Sequence, residues 1–407
     1  LKNWGSKPFD LSRPPLIRME IWQTERQQFL LIDTHHIIMD GMSYGPFFRA
    51  LCDAYQGKSL SAEPLSFIDY AYWQQSAAQR LVQAEQAEFW HQMFAQGLPV
   101  LELPADFPMP TNRTFEGGLY SFSLERELFD RIQGFCKEIG STPYMLLYAA
   151  FSALLGKIAQ TDDVVVSTTS SGRNLPETED MIGMFVNTLA IRTKIDSIQS
   201  FEKFLEASKQ LLLTSFEHDS YPYEELIAGL RSRQLGDNAV RVMFTMMKEH
   251  ELYHSLGESS IKMVGGGESS QAKFDLTFSG TENVESIDFE IEYAAELFSG
   301  ESIKRLADRF INLLSYALET PECTLGALPV LLEDEEKQLK SWNNTDMEVP
   351  KATLIHELFE QKVCEYPDKT ALVFKEEELS YSELNQKANR LAHYLRSCGI
   401  GAERRVG

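Results

Sequence analysis

Short apolar runs of strand length alternate with segments of helical period along most of the chain. That alternation restricts the fold to sheets covered by helices, an α/β or α+β class. Residues 16–40 (LIRMEIW, then QQFLLIDTHHIIMD) read as two strands joined by a polar turn at 23–28, the second running through His35 and His36. Helical spacing follows, with Phe47, Phe48, Leu51 and Tyr55 on one face and Gly57 as a stop. A single long helix is expected over about 67–96, then a Pro-rich break, LPADFPMPTNR. Beyond Gly118 the pattern predicts a strand (LYSFSL), helices over 125–139 and 143–159, a buried strand (VVVST), and a further strand after Phe185. Helices over 201–216 and from Pro222 come next, then the strands VRVMFTMM, KFDLTFSG and ESIDFEIEY. The first two of these are separated by a Gly-rich loop in which Gly265, Gly266 and Gly267 read as a turn. A clean amphipathic helix spans 303–318, with Leu306, Phe310, Leu313 and Leu314 inward. The charge run from Glu333 to Lys337, with SWNNTDMEVP after it, reads as a linker. A new unit follows: a helix over 354–365, a hairpin (ALVFKEEELS) and a helix over 382–398 ended by Gly399.

The 407 residues are enough for two or three domains. With 38 Lys and Arg against 60 Asp and Glu, the net charge is -22, which argues against nucleic acid or an anionic membrane surface as the main partner. Cys52, Cys136, Cys323, Cys364 and Cys398 are scattered, with no C-x-x-C. That fits a reducing, cytoplasmic setting and speaks against a disulfide framework or structural zinc. No apolar run approaches the roughly 18–20 residues of a membrane span. The chain opens on Leu1 and stops at Gly407 on the edge of an apolar run, so a segment of a longer protein is expected.

The most informative stretch is Thr34-His35-His36-Ile37-Ile38-Met39-Asp40-Gly41. In a strand the two histidines would point to opposite faces, one to a cavity and one into packing. An imidazole suits general-base or proton-relay work near neutral pH. A carboxylate at Asp40, beside the turn that Gly41 permits, would lock the loop by pairing with an arginine. Three other readings stand beside this one. Both histidines satisfy a purely structural role. His35, His36 and Asp40 offer a weaker metal reading, since neighbouring strand residues diverge and no further ligand is evident. Gly41-Met42-Ser43-Tyr44-Gly45 matches the G-x-S-x-G elbow of serine hydrolases, with Ser43 as nucleophile and Asp219, Asp275, His250 and His254 as candidate partners.

HHIIMDG resembles HHxxxDG, the signature of condensation domains of nonribosomal peptide synthetases. SFIDYAYW, MIGMFVNTLAIR and HDSYPYEELI are similar to that family's aromatic-rich, IGxFVNT and H-x-x-YPxE motifs, in the family's order. LSYSELNQKANRLAHYLR resembles the first core motif of adenylation domains. The resemblance implies two lobes, each like chloramphenicol acetyltransferase, with mixed sheets flanked by helices and a tunnel between them. The domains would be 1–105 (remainder of the N-terminal lobe), 106–330 (C-terminal lobe), 331–350 (linker) and 351–407 (start of an adenylation domain). It implies peptide-bond formation, as in antibiotic biosynthesis, between thioesters on phosphopantetheine arms. Those arms belong to upstream and downstream peptidyl carrier domains. The domain itself would bind no cofactor and no metal. His36 would orient or deprotonate the attacking amine, or stabilise the tetrahedral intermediate. Asp40 would pair with an arginine, for which Arg173 in SSGRN is the candidate. Gly41 would offer an oxyanion donor, and His35 would be packed. THHIIMDGMS reads like the class accepting an L-terminal donor. Direct passage into an adenylation-like segment favours condensation over epimerisation, and the two histidines speak against cyclisation. That segment stops before any ATP-binding loop, so no adenylating activity is expected from these 407 residues. The chain departs from the family pattern in two places. The upstream Arg-His-Glu motif is absent, so about a hundred residues of the N-terminal lobe are expected to be missing. The late RxxxRNP motif is degenerate in residues 233–239. A non-catalytic carrier-docking module is the alternative within the family.

Overall fold

The computed structural model describes residues 7–25, 27–60, 65–234, 240–248, 254–256, 259–261, 271–347, 354–401 and 403–406. They form two compact units, Leu1–Glu336 and Lys337–Gly407.

The first unit opens with an antiparallel hairpin of β1 (Ile17–Gln23) and β2 (Gln28–Thr34), as the alternation predicts. β2 stops at Thr34, so the HHIIMD stretch is not strand. Its backbone turns instead, through a 3-10 turn at His36–Ile38 and a second at Gly41–Ser43, into α1 (Tyr44–Tyr55). The long helix expected over 67–96 is two helices, α2 (Phe67–Gln74) and α3 (Ala77–Met93). The break falls at Ser76, whose hydroxyl accepts the N–H of Gln79 at 3.3 Å and so caps a new helix. The stretch 88–96 therefore belongs to α3 and its exit.

A six-stranded sheet follows. In chain order its surroundings are β3 (Gly117–Ser123), α4 (Arg126–Ile139), α5 (Pro143–Ala159), β4 (Asp163–Ser170), β5 (Asn187–Lys194), α6 (Phe201–Glu217), α7 (Tyr223–Ser232) and β6 (Val242–Lys248). The short hairpin of β7 (His254–Leu256) and β8 (Ser259–Ile261) occupies part of the expected Gly-rich loop; Gly265, Gly266 and Gly267 lie outside the described residues. β9 (Leu276–Glu282), β10 (Ile287–Ala294) and α8 (Gly300–Glu319) complete the unit. The spatial order is β3-β10-β9-β6-β4-β5. β6 runs parallel to both β4 and β9, and the remaining neighbours are antiparallel, so the sheet is mixed.

The VVV run makes β4 a strand buried on both faces, as a continuous apolar run requires. One face is covered by α5, which starts on Thr142 as cap with Pro143 in its first turn. Phe151, Phe278 and Phe310 pack through this core, with the Phe278 ring tilted against Phe151 at 4.7 Å and edge-on to Phe310 at 4.9 Å. Burying an aromatic side chain of this size contributes about 2–3 kcal/mol, which anchors the sheet behind the site. Among the described residues no single helix is long and apolar enough to cross a membrane.

The stretch read as a linker contains α9 (Glu333–Trp342), lying across the boundary of the two units. Its first turn carries Glu333, Asp334, Glu335 and Glu336, and negative charge at a helix start is favourable. Glu335 also accepts the N–H of Leu332 at 2.9 Å and pairs with Arg309 of α8 at 2.7 Å. The charge run is thus a helix start. The second unit holds α10 (Ile355–Glu365), the hairpin of β11 (Thr370–Phe374) and β12 (Glu377–Ser380), and α11 (Tyr381–Ser397). Ser380 and Glu383 form a capping box at the start of α11.

Candidate active site

The turn after β2 positions both histidines by their own side chains. His35 sits at the start of the 3-10 turn, and its Nδ1 accepts the N–H of Ile37 at 3.1 Å. Its ring stands edge-on to Phe9 at 6.0 Å, so it is half-buried and packed. His36 Nδ1 lies 2.9 Å from the carbonyl oxygen of Met39. A carbonyl only accepts, so Nδ1 carries the hydrogen and the lone pair resides on Nε2. Among the described residues Nε2 has no partner, and the residue is exposed.

Behind this turn lies Asp40, fully buried, as is the side chain of Arg173. Asp40 Oδ1 accepts from the Ser43 N–H at 2.9 Å, the Ser43 hydroxyl at 2.7 Å and Arg173 Nη2 at 2.9 Å. Oδ2 accepts the N–H of Phe185 at 3.1 Å. The other guanidinium nitrogen, Nη1, donates to the carbonyls of Thr178 and Met181. The guanidinium plane lies 4.1 Å above the centre of the Phe185 ring. Asp40 N–H donates to the Gly183 carbonyl at 3.1 Å, and Gly183 N–H donates back to Ser43 Oγ at the same distance. The backbones can meet this closely because Gly183 has no side chain; a Cβ there would collide with the ring of Phe67. The result is a latch between the histidine turn and the segment 171–187.

Gly41 begins the second 3-10 turn, where a helix start leaves N–H groups without intrahelical partners. It lies against Met247 at the end of β6, and a Cβ on it would stand 3.5 Å from the Met247 sulfur. The structure therefore brings His36, His35, Asp40, Gly41 and Arg173 together in one place.

It does not assemble the alternatives. Asp40 Oδ1 accepts three N–H and O–H donors and Oδ2 a fourth, and the His35 lone pair is taken by the Ile37 N–H; of the three side chains His36 alone keeps an unengaged imidazole lone pair among the described residues, so they are not arranged as a metal set. No group of three or more His, Cys, Asp or Glu suited to a metal ion occurs among the described residues. Ser43 is fully buried. Its hydroxyl is enclosed by Asp40 Oδ1, the Gly183 carbonyl and N–H, and Arg173 Nη2 at 3.0 Å. Among the described residues no imidazole bonds to it. Of its proposed partners, His250 and the His254 side chain lie outside the described residues, and Asp275 pairs with Arg113 at 2.6 Å. Asp219 binds Ser170 and Asn174. A fluorophosphonate probe is expected to leave Ser43 unlabelled in the folded protein; intact-mass labelling at that residue would overturn this. The serine of the G-x-S-x-G match serves the turn instead: Asp40 and Ser43 form a capping pair three residues apart, a helix-start signal that the sequence carries beside the elbow pattern.

Sequence reasoning also missed a second polar cluster. Asp219, nearly buried, accepts from the Ser170 hydroxyl and from Asn174 Nδ2 at 2.7 Å. Asn187 donates to the backbone carbonyls of Asp219 and Tyr221 at 2.7 and 2.8 Å. Burial pushes the nearby Tyr70 phenol up, and the negative charge of Asp219 adds to this against the opposing effect of Arg173.

Comparison with known proteins adds context. The family model described as "Condensation domain" matches residues 2–340, and that of "AMP-binding enzyme" matches residues 359–407. The chain is 37% identical over 405 residues to tyrocidine synthase 3 of Brevibacillus parabrevis, covering 98% of this chain and 6% of that protein. It is 36% identical over 401 residues to gramicidin S synthase 2 of Brevibacillus brevis, covering 97% and 9%. With surfactin synthase subunit 2 of Bacillus subtilis (strain 168), identity is 35% over 405 residues, covering 98% and 11%. The chain thus spans only a small part of the length of these relatives. Among solved structures it is similar to the X-domain in its complex with OxyB from teicoplanin biosynthesis (TM-score 0.72, 25% identity, 82% of this chain and 77% of that one). It also shares the fold of the first condensation domain of the calcium-dependent antibiotic synthetase in complex with a substrate analogue (TM-score 0.64, 20% identity, 80% and 73%).

Proposed function

The chain belongs to the condensation-domain family of nonribosomal peptide synthetases, and from that premise we propose that it forms a peptide bond between two carrier-bound thioesters. The acceptor aminoacyl α-amine attacks the carbonyl of the donor acyl or peptidyl thioester. A C–N bond forms, the C–S bond breaks, and the amine proton passes to the departing thiol. The observation that carries this reading is the tautomer of His36. With Nδ1–H tied to Met39, Nε2 keeps its lone pair without a partner among the described residues, on an exposed residue, as a group meant to hold and accept an amine proton must. Asp40 and Arg173 act behind it as a latch and touch no substrate. The Gly41 N–H is the proposed oxyanion donor. His35 supports the turn through its bond to Ile37.

The substrates would arrive on phosphopantetheine arms of upstream and downstream peptidyl carrier domains, in the cytoplasm, with no cofactor bound by the condensation unit itself. Residues 1–105 would be part of one chloramphenicol-acetyltransferase-like lobe and 106–330 the other. The confinement of the six-stranded sheet to residues 117–294 supports that division. Residues 331–350 would connect the condensation unit to 351–407, the start of an adenylation domain, even though part of the connector is helical.

The test is direct. Donor and acceptor carriers, each loaded with its aminoacyl thioester, are mixed with the full-length protein, and the acceptor carrier is analysed by intact mass. The expected result is a dipeptidyl acceptor. Binding of both carriers without transfer would favour a non-catalytic docking role instead. The likeness to an X-domain seen in complex with another protein gives that second reading its support.

A further inference from the structure

Arg173 reaches Asp40 from a loop, and a guanidinium can complete the latch only if that loop is held on both sides. Ser170, the last residue of β4, donates its hydroxyl to Asp219 Oδ2. Asn174, on the other side of Arg173, donates to Asp219 Oδ1 at 2.7 Å. Between them Gly172 takes a left-handed φ of 63°, and its N–H donates to Ser170 Oγ at 3.3 Å. One buried carboxylate therefore pins the residues on either side of the arginine.

The same residue holds the far end of the segment. Its backbone carbonyl accepts from Asn187 at 2.7 Å. Two positions before Asn187, Phe185 gives its N–H to Asp40 and its ring to the underside of Arg173. Among the described residues no ion pair with a cation involves Asp219. Its role is thus to accept hydrogen bonds from this loop.

We infer that Asp219 is a positioning residue for the reaction, acting through Arg173 and Asp40 on the turn that carries His36. This rests on the condensation reading. The HDSYPYEELI segment then acquires a physical role, bringing a carboxylate from just before α7 to the back of the latch.

The test compares Asp219→Asn with the exchange variant Asp219→Asn/Asn174→Asp in the carrier-to-carrier transfer assay. In Asp219→Asn a neutral amide replaces the charged acceptor, and with its oxygen kept on Ser170 its nitrogen faces the Asn174 nitrogen, so a bond to position 174 survives only as a weaker amide–amide contact with Asn174 turned over. In the exchange, the amide nitrogen now at position 219 donates to the carboxylate now at position 174. The amide oxygen at position 219 still accepts from Ser170, so the loop is pinned again with donor and acceptor reversed. Turnover is expected to fall on the order of tenfold to a hundredfold in Asp219→Asn, with affinity for the acceptor carrier unchanged. The exchange variant is expected to recover most of the rate, which loss of fold alone would not allow. In an Arg173→Lys background, Asp219→Asn is expected to lower turnover by less than about twofold more, because both changes act on the same contact. Native turnover in Asp219→Asn, a folded exchange variant without recovery, or a full additional loss in the Arg173→Lys background would overturn the inference. A His36→Ala control separates the two levels. Product formation insensitive to His36 would remove the condensation reading itself. Turnover that depends on His36 and not on Asp219 would remove only this inference.

Discussion

Replacing His36 with alanine is expected to lower dipeptide formation by about two to four orders of magnitude, the range for loss of a positioned general base. Binding of both carriers should persist. The effect should be this large because, among the described residues, neither neighbouring titratable group can substitute. His35 is the adjacent imidazole, but its Nδ1 is occupied by Ile37 N–H and its ring packs on Phe9. Asp40 is buried, paired with Arg173 and held by N–H and O–H donors on both oxygens. His36→Gln sharpens the test, since glutamine can hold an amine by a hydrogen bond but cannot take its proton. Rapid-quench single-turnover assays on preloaded carriers give the rate, and calorimetric titration gives the affinity. A glutamine variant near the native rate would assign His36 to orientation. An alanine variant at the native rate would show that the unit does not perform the chemistry through this residue.

The second large effect concerns stability. Asp40→Ala or Arg173→Ala should each destabilise the first unit by about 3–5 kcal/mol, because either change strands the opposite charge in the interior. The side chains are 0% and 2% exposed, so water cannot solvate the charge left behind. Arg173→Ala also removes the donors to Thr178, Met181 and Ser43. The double variant Asp40→Leu/Arg173→Met removes both charges and should cost less than either single change if the site repacks. Urea denaturation followed by tryptophan fluorescence and far-ultraviolet circular dichroism measures all three. Single variants within about 1 kcal/mol of the native protein, the value of an exposed pair, would show that the latch is not a buried ion pair in solution.

The sheet and its helices were legible because their signals are local. The VVV run of β4, the Pro143 start of α5 and the apolar stripe of α8 each sit within one element, and α5 spans the residues its pattern predicts. Failures occurred where a side chain competes with the backbone. Ser76 splits a periodic stretch by capping, and His35 ends a strand by accepting from Ile37, though both stretches look continuous by residue type. The glutamates of α9 read as a solvated linker because composition alone does not distinguish a charged loop from a charged helix start. In the site, the histidines and Asp40 stand together in the chain and were visible there. Arg173 is 133 positions from its partner and was indicated only through likeness to a family. Asp219 and Asn174 are 45 positions apart, and no period or spacing connects them.

Such separation along the chain is also separation in time. The Phe185 N–H that completes the cage around Asp40 lies 145 positions downstream of it. At about 5–20 residues per second, a ribosome takes roughly 7–30 s to travel that distance. Throughout that interval the histidine turn has only its local bonds, His36 to Met39 and Ser43 to Asp40, and its carboxylate lacks Arg173 and the Phe185 N–H. The site is therefore completed only after a segment far downstream of β1 and β2 has been made. A chain released before that segment emerges would carry the whole signature motif and lack the latch that makes it a site.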